Sequence, residues 1–201
     1  NGSFCGPPGI GQIADTNGDG ALTDDDMPII VIYDGGQSGT STGKVTAIKG
    51  DNSGVLWSTR QGVGQDGGFS IGDLDGDGWP EVVGVGPDRV VTLDGRDGST
   101  KWQSQSLARS LDPYGYNYPS ILDMDGDGQP EVTVGNVILD GATGAIRGQG
   151  TRGIGAAPYF GDPSIQGSYG TLSVPYDLDG DGQAELVTGN TAYNVDGSVK
   201  W

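Results

Sequence analysis

The sequence predicts an all-β chain that is built from repeated units of four short strands, and three observations lead to this prediction. First, β-branched runs such as Ile29–Tyr33 and Val132–Val134 recur along the chain, which disordered chains lack. Second, the 40 glycines and 11 prolines fall largely between these runs, where turns belong. Third, one acidic motif occurs four times, and the stretch between successive copies has room for four strands and their turns.

The acidic motif has the form Asp-x-Asp-Gly-Asp-Gly. It stands at Asp73–Gly78, Asp123–Gly128 and Asp177–Gly182, with a variant at Asp15–Gly20. The first aspartates of the four copies are 58, 50 and 54 residues apart. A period of about fifty residues is typical of propellers and other repeat arrays.

Unit two shows the order of the predicted elements. A strand at Phe69–Gly72 enters the acidic loop, and a second strand at Glu81–Val85 leaves it. A third strand at Arg89–Leu93 reaches a turn at Asp94–Gly95, and a fourth passes through Lys101–Trp102. Four short antiparallel strands make one β-propeller blade. The sequence therefore predicts four blades, with bounds 1–60, 61–104, 105–150 and 151–201.

The first and last strands of the units carry further expectations. Unit one is expected to begin with a strand near Ile10–Ala14. Tryptophan closes three of the units, at Trp57, Trp102 and Trp201, each a few residues after a glycine, whereas unit three has Gly148 at this position. We expect these tryptophans to pack against the next blade; stacking on a cofactor is the alternative.

The acidic motif predicts a calcium site in each of units two to four. Ca²⁺ takes about six to eight hard oxygen ligands, and acids at positions one, three and five of a tight loop can converge on one ion. Glycine at position six allows the sharp turn, a carbonyl follows at seven, and an acid stands at nine. The predicted ligands are Asp73, Asp75, Asp77, the Trp79 carbonyl and Glu81; Asp123, Asp125, Asp127, the Gln129 carbonyl and Glu131; and Asp177, Asp179, Asp181, the Gln183 carbonyl and Glu185. The alternative is a metal-free Asp/Gly turn, in which the carboxylates would repel one another without compensation.

Unit one carries a longer loop that matches the EF-hand spacing, with Asp in place of Glu at position twelve. Its predicted ligands are Asp15, Asn17, Asp19, the Ala21 carbonyl and Asp26. The loop resembles that of dockerins, but dockerins pair two such loops with helices. Here Pro28 and the strand Ile29–Tyr33 follow at once, so we expect a lone calcium loop inside a blade.

These residues resemble the FG-GAP/VCBS repeat family. The resemblance rests on the core Asp-x-Asp-Gly-Asp-Gly-x-Pro-Glu and covers nearly the whole chain. It implies a calcium-binding β-propeller with loops like those of integrin α subunits. Relatives usually close at seven or eight blades, so we expect the four blades to be part of such a larger ring. The Gly…Trp tails also resemble, more weakly, the blade-closing motif of quinoprotein propellers.

An open arc of four blades would have an uncovered surface at each end, which favours self-association or contact with further blades of a parent protein. Cys5, just ahead of the first strand, is then expected to be able to bridge to a cysteine elsewhere.

Composition narrows the classes of function. Of the 27 acidic residues, 17 lie in the four loops, and four calcium ions would bring the formal charge from −17 to about −9. The acidic balance argues against binding nucleic acid or an anionic membrane, and no apolar stretch is long enough to insert into one. The sequence contains no histidine, which removes the commonest general base and the usual zinc and haem ligands.

Two long connectors between blades, Gln103–Pro119 and Gln149–Gly170, are expected to lie on the face opposite the calcium loops. Long ordered loops usually have a function. The residues proposed for ligand binding are aromatic or cationic: Arg109, Tyr114, Tyr116, Tyr118, Arg152, Tyr159, Phe160 and Tyr169. Such a surface suits carbohydrate or an extracellular protein. The alternative is that these side chains pack among themselves over the central channel.

The hypothesis for function is a non-enzymatic binding or adhesion scaffold, stiffened by Ca²⁺ and secreted, at the cell surface or in the periplasm. An enzyme is the first alternative, either a calcium-dependent polysaccharide lyase or a quinoprotein-like oxidoreductase. Against it, the sequence has no Gly-x-Ser-x-Gly nucleophile motif and no acid pair outside the loops. The second alternative is a structural subunit of a surface filament.

Overall fold

A computed structural model describes residues 6–34, 43–60, 62–63, 67–111, 117–154, 156–158 and 168–201. Within these ranges the chain forms strands and turns, and it has no helix that could cross a membrane. The strands are β1 (Gly9–Gly11), β2 (Ile29–Asp34), β3 (Lys44–Lys49), β4 (Val55–Thr59), β5 (Ser70–Gly72), β6 (Glu81–Val85), β7 (Val90–Asp94), β8 (Thr100–Gln103), β9 (Ser120–Leu122), β10 (Glu131–Val134), β11 (Val137–Asp140), β12 (Ile146–Gln149), β13 (Ala156–Pro158), β14 (Ser168–Thr171), β15 (Ser173–Tyr176), β16 (Glu185–Thr188) and β17 (Thr191–Tyr193).

The strands form blades in chain order. Strands β1–β4, β5–β8 and β9–β12 make three four-stranded antiparallel sheets, each a simple meander. The fourth blade has three strands, β15–β17, and a bridge between Tyr193 and Val199 adds the edge of a fourth. Strands β13 and β14 form a separate hairpin ahead of it. The predicted all-β propeller architecture is confirmed.

The first strand of blade one is shorter than expected. It covers Gly9–Gly11, whereas Ile13 and Ala14 are buried in the loop that follows. Ile13 lies against Gly95 of blade two, so it contributes to the core without pairing in a sheet. The predicted strand near Ile10–Ala14 is therefore correct only at its start, and its second half is a buried part of the loop.

The hydrophobic core lies between the blades. The first strands of successive blades stand side by side, with β1 against β5, β5 against β9 and β9 against β15. The first junction packs Ile29 and Val31 of blade one with Val82 and Leu93 of blade two. Similar apolar clusters fill the second and third junctions. Each blade is thus stabilised by its neighbours, as in other repeat proteins.

Tryptophan links the first two junctions, as predicted. The Trp57 indole N–H donates to the Gly95 carbonyl of blade two at 2.7 Å, and the Trp102 N–H donates to the Gly141 carbonyl of blade three at 2.8 Å. A buried indole needs such a partner for its N–H. The packing role of these two tryptophans is confirmed.

The third junction is built differently. A Cβ at Gly148 would clash with the backbone of blade four, where the nitrogen of Gly197 would lie 2.6 Å away. Val195 stands here at the position of Gly95 and Gly141. The nitrogen of Ala184, which replaces the proline of the earlier loops, donates to the Met124 carbonyl at 2.6 Å. The missing tryptophan of unit three therefore has a steric cause.

The meander places the acidic loops and the connectors at opposite ends of each blade. The loop between β5 and β6 lies at the same end as the turn between β7 and β8. At the other end, the nitrogen of Leu107 in the connector donates to the Asp88 carbonyl in the turn between β6 and β7.

Candidate metal loops

The backbone of each short acidic loop is held by its first aspartate. In blade two, Asp73 accepts N–H groups from Gly76 at 2.8 Å and from Gly78 at 3.0 Å. Both glycines have positive φ, +75° and +85°, a conformation that side chains disfavour. Asp123 and Asp177 accept the same two bonds in their loops. The motif thus specifies one loop geometry three times.

Asp75, Asp77 and Glu81 each use one carboxylate oxygen to accept a backbone N–H of the loop. Asp75 Oδ1 accepts the Asp77 N–H, and Asp77 Oδ1 accepts the Trp79 N–H. Glu81 lies at the start of β6 and is buried, and its Oε2 accepts the Leu74 N–H at 2.8 Å. The remaining oxygens of Asp75, Asp77 and Glu81 face the side chain of Lys101.

These loops bring carboxylate oxygens together as the ligand prediction requires. Among the described residues, three groups of acids have oxygens within 4.8 Å of one another. They are Asp73, Asp75 and Glu81; Asp123, Asp125 and Asp127; and Asp177, Asp179 and Glu185. Hard oxygens on a glycine-shaped loop suit Ca²⁺. The backbone N–H groups of Gln129 and Gln183 donate hydrogen bonds to the aspartates at position five, as the backbone N–H of Trp79 does. Ligation of Ca²⁺ by the predicted side chains and by these three carbonyls stays a prediction, and Asp77, Glu131 and Asp181 lie outside the three groups.

A basic side chain from the fourth strand reaches into each of the three loops. Lys101 Nζ lies 2.5 Å from Asp75, 2.9 Å from Glu81 and 3.6 Å from Asp77. In blade three, Arg147 pairs with Asp125 and Glu131, and in blade four, Lys200 pairs with Asp179 and Glu185. The carboxylates are therefore compensated by a cation of the chain itself.

A β-bulge aims two of these basic side chains, Lys101 and Arg147, at their loops. Thr92 pairs with Trp102 and Leu93 pairs with Thr100, so Lys101 is the extra residue between two pairs. Arg147 occupies the same position in blade three. Bulges often redirect a side chain beside a functional site.

Sequence reasoning missed the three basic residues, although the sequence carries a signal for them. Lys101, Arg147 and Lys200 each stand directly before the tail position that holds Trp102, Gly148 and Trp201. A recurrent base at one point of an acidic repeat indicates an internal counterion.

The ion pairs shift the pKa values of the groups involved. The hydrogen bond from Lys101 holds the pKa of Asp75 below its ordinary value. Burial raises the pKa of Glu81 against the opposing bonds from Leu74 and Lys101, and burial likewise raises the pKa of Glu131. In blade four, the N–H groups of Gly182 and Gly180 lower the pKa of Asp177. The loops of blades two and three thus each hold one buried glutamate whose charged form a nearby cation stabilises.

The longer loop of unit one is arranged differently. Asp26 is buried, and its two oxygens accept hydrogen bonds from Thr16, Asn17 and Thr23. The Thr23 N–H bond is the main cause of the lowered pKa of Asp26. The remaining predicted ligands bond within the loop: Asp15 to Gly18 and Gly20, Asn17 to Asp19, and Asp19 to Ala21. Among the described residues, this loop does not form a group of three converging acids.

The proposed ligand-binding residues are only partly described. Arg109 and Arg152 are exposed, and Tyr118 is half-buried beside Gly68. Arg152 also joins the connector to blade four, because its backbone N–H donates to the Tyr193 hydroxyl at 3.0 Å. Tyr114, Tyr116, Tyr159 and Phe160 lie outside the described residues, as do Cys5 and the side chain of Tyr169.

Comparison with known families agrees with the repeat. Residues 73–134 match the FG-GAP-like repeat family, a span that contains the second and third acidic loops and the strands between them. A comparison with curated protein sequences finds no match.

Several solved structures share the fold. The V. cholerae biofilm matrix protein Bap1 is 21% identical, with a TM-score of 0.72 over 100% of this chain and 31% of its own. The rhamnogalacturonan lyase YesW is 19% identical, with a TM-score of 0.58 over 98% of this chain and 30% of its own. The exotype rhamnogalacturonan lyase YesX is 18% identical, with a TM-score of 0.63 over 99% of this chain and 40% of its own. The chain thus spans well under half the length of each of these proteins.

Proposed function

We propose that the chain is a calcium-stabilised β-propeller segment that acts outside the cell as a binding or adhesion scaffold. The observation that carries the proposal is the convergence of carboxylate oxygens in three loops that share the same backbone hydrogen bonds to their first aspartate. These oxygens already surround a cation of the chain, such as the ammonium group of Lys101. A doubly charged ion would interact with the same oxygens more strongly than a single ammonium group does.

Calorimetry on protein stripped with EGTA tests the calcium proposal. We expect about three or four sites, because three loops present converging acids and the fourth presents the EF-hand spacing. Magnesium is the control ion, since it demands a stricter octahedral geometry and should bind more weakly. The absence of any calcium-dependent heat would refute the proposal.

Calcium dependence favours a location outside the cytosol. With a dissociation constant of about 10⁻⁵ M and calcium near a millimolar, each site would stabilise the fold by roughly 2.7 kcal/mol through mass action. In a calcium-poor cytosol the loops would rely on their lysine and arginine counterions.

The partner class that we propose is a carbohydrate or an extracellular protein, bound by the connector face. Two of the similar structures are rhamnogalacturonan lyases and one is a biofilm matrix protein, which supports carbohydrate as the first class to test. Replacing Tyr114, Tyr116 and Tyr118 together with alanine should abolish binding on a polysaccharide array. The gain in melting temperature on adding calcium should not change, because none of the three tyrosines is a predicted loop ligand. Intact binding by the triple variant would assign these tyrosines to packing.

A turnover assay separates the scaffold from a lyase module. The chain is incubated with polyuronic substrates and calcium, and unsaturated product ends are measured. We expect no turnover, since the sequence lacks histidine and a nucleophile motif. Product formation that disappears on mutation of Lys101 or Arg147 would favour an enzyme instead.

A further inference from the structure

The third junction contains a polar cavity at the loop end of the blades. Its volume is about 400 Å³, which lies within the range of roughly 300–1,000 Å³ that is typical of ligand pockets. One wall belongs to blade three and the other to blade four. The lining residues are Asp125, Arg147, Gln183, Asn194, Val195 and Asp196. All of these except Val195 are polar or charged, so the cavity suits a ligand that forms many hydrogen bonds.

The cavity lies where the third junction departs from the first two. At each of the first two junctions, an indole ring lies against a turn glycine of the next blade. At the first, a Cβ at Gly98 would lie 2.6 Å from the Trp57 ring. At the third junction, the equivalent Gly197 meets the backbone of Gln149 instead. The cavity opens beside this turn, along Asn194–Asp196.

The ionic side chains of the cavity keep hydrogen-bonding capacity for a ligand. Arg147 donates to Glu131 through Nη1 and to Asp125 through Nη2, and a guanidinium group carries five N–H donors. Asp196 is exposed and accepts the Ser198 N–H with its Oδ1 at 2.8 Å, and a carboxylate has about four acceptor sites. The two walls of the cavity therefore offer a donor and an acceptor group to one ligand.

The charges of the lining indicate the class of the ligand. The carboxylates of Asp125 and Asp196 and the guanidinium group of Arg147 give the lining a formal charge of −1. An anionic ligand would face two carboxylates, and an apolar ligand would remove water from both without replacing its hydrogen bonds, which is costly. A neutral ligand with several hydroxyl groups avoids both penalties, because a hydroxyl group donates to a carboxylate and accepts from a guanidinium or amide group. Val195 offers an apolar contact to the C–H groups of such a ligand.

We propose that this cavity binds a neutral sugar unit, held between Arg147 of blade three and Asp196 of blade four. The proposal goes beyond the function proposed above, because it assigns a second binding site at the end of the blades opposite the connector face. A sugar bound here contacts both blades, so it should stabilise the third junction by mass action.

The proposal is tested by chemical-shift titration of the chain with neutral methyl hexosides, and the matching uronates serve as charged probes. We expect the neutral glycosides to bind and Asp196→Ala to raise their dissociation constant at least about tenfold, as for lost hydrogen bonds to a charged group. Asp97→Ala is the matched control, because Asp97 accepts the Ser99 N–H at 2.8 Å in the corresponding turn of blade two. Both variants lose the same turn bond, so an effect of stability alone would appear in both. Asp97→Ala should leave the dissociation constant unchanged.

Three results would overturn the proposal: no binding of any neutral glycoside, tighter binding of the uronates, or equal binding by Asp196→Ala and the parent chain. Binding that is lost only when Tyr114, Tyr116 and Tyr118 are replaced would assign the sugar to the connector face and would overturn it as well. Calorimetry of Asp196→Ala with calcium separates this test from the calcium proposal. Asp196 is not a predicted loop ligand, so its replacement should leave the heat of calcium binding unchanged.

Discussion

The acidic loops of blades one and two solve the same electrostatic problem in different ways. Each loop ends on a buried carboxylate, Asp26 in blade one and Glu81 in blade two. Asp26 is surrounded by donors of its own loop, Thr16, Asn17 and Thr23. Glu81 accepts one N–H from its loop, and its other oxygen pairs with Lys101.

The difference lies in the length of the loop and in the fourth strand. The longer loop of blade one has enough backbone to supply several N–H donors to its closing acid. The shorter loop of blade two leaves an oxygen that a cation must satisfy, because an unpaired buried charge is costly. The bulge position that holds Lys101 in blade two holds Leu56 in blade one. Blade one is therefore expected to be stabilised by its own hydrogen bonds and blades two to four by a cation.

The largest expected effect is that of Asp26→Ala. The change leaves several N–H donors of the loop without an acceptor, so we expect a loss of about 3 kcal/mol in the free energy of unfolding. The larger part of this loss should persist in EGTA, as measured by urea denaturation, because the hydrogen bonds to Asp26 do not need calcium. Asp25→Ala is the control, because Asp25 is exposed, and it should change stability by less than about 0.5 kcal/mol. A loss of stability that appears only in calcium would contradict the view that hydrogen bonds, and not a cation, stabilise the blade-one loop.

Asp75→Ala should have the opposite dependence on calcium. With calcium at about one hundred times its dissociation constant, losing one site should cost about 2.7 kcal/mol. In EGTA, the variant loses an exposed hydrogen bond from the Asp77 N–H and a partly exposed ion pair with Lys101, and such an ion pair is worth about 1 kcal/mol or less. Thermal melts in both conditions measure the difference. Asp97→Ala, an exposed acid in the same blade, should lower the melting temperature equally in both.

Lys101→Met should sharpen the comparison further by removing the internal counterion. Calcium affinity of the blade-two loop is expected to rise about tenfold, or ~1.4 kcal/mol, because the ion no longer competes with an ammonium group. Stability in EGTA should fall, since Glu81 keeps its burial and loses its partner. Lys49→Met is the control, as Lys49 lies at the end of β3 in blade one. Unchanged or weaker calcium binding by Lys101→Met would show that calcium does not compete with the Lys101 ammonium group for the same carboxylate oxygens.

The blade architecture was predictable because its signals are local. The turn glycines with positive φ, such as Gly76 and Gly78, fix the loop geometry from adjacent residues. The third strand of blade two was predicted at Arg89–Leu93 and lies at Val90–Asp94, a shift of one residue. Such shifts are ordinary at strand ends, where hydrogen bonding and side-chain pattern disagree.

The ion pairs were not predicted because they depend on register. Lys101 reaches Glu81 across 20 residues of sequence only because a bulge inserts one extra residue into β8. Strand alternation alone does not reveal such a bulge. The replacement of tryptophan by Gly148 in unit three could be seen in the sequence. Its steric cause could not, because that cause lies in the backbone of blade four.

The third junction has a consequence for folding. Blades with similar sequences can exchange places during folding, a frequent error of repeat proteins. Here the tail of blade three carries Gly148 and accepts only a close backbone, while the tails of blades one and two carry an indole that needs a glycine turn. If blade four took the place of blade three, Trp102 would meet Val195 instead of Gly141. The third junction therefore disfavours an exchange of blades three and four, because the tail of each blade fits only the turn of the blade that follows it in the native order.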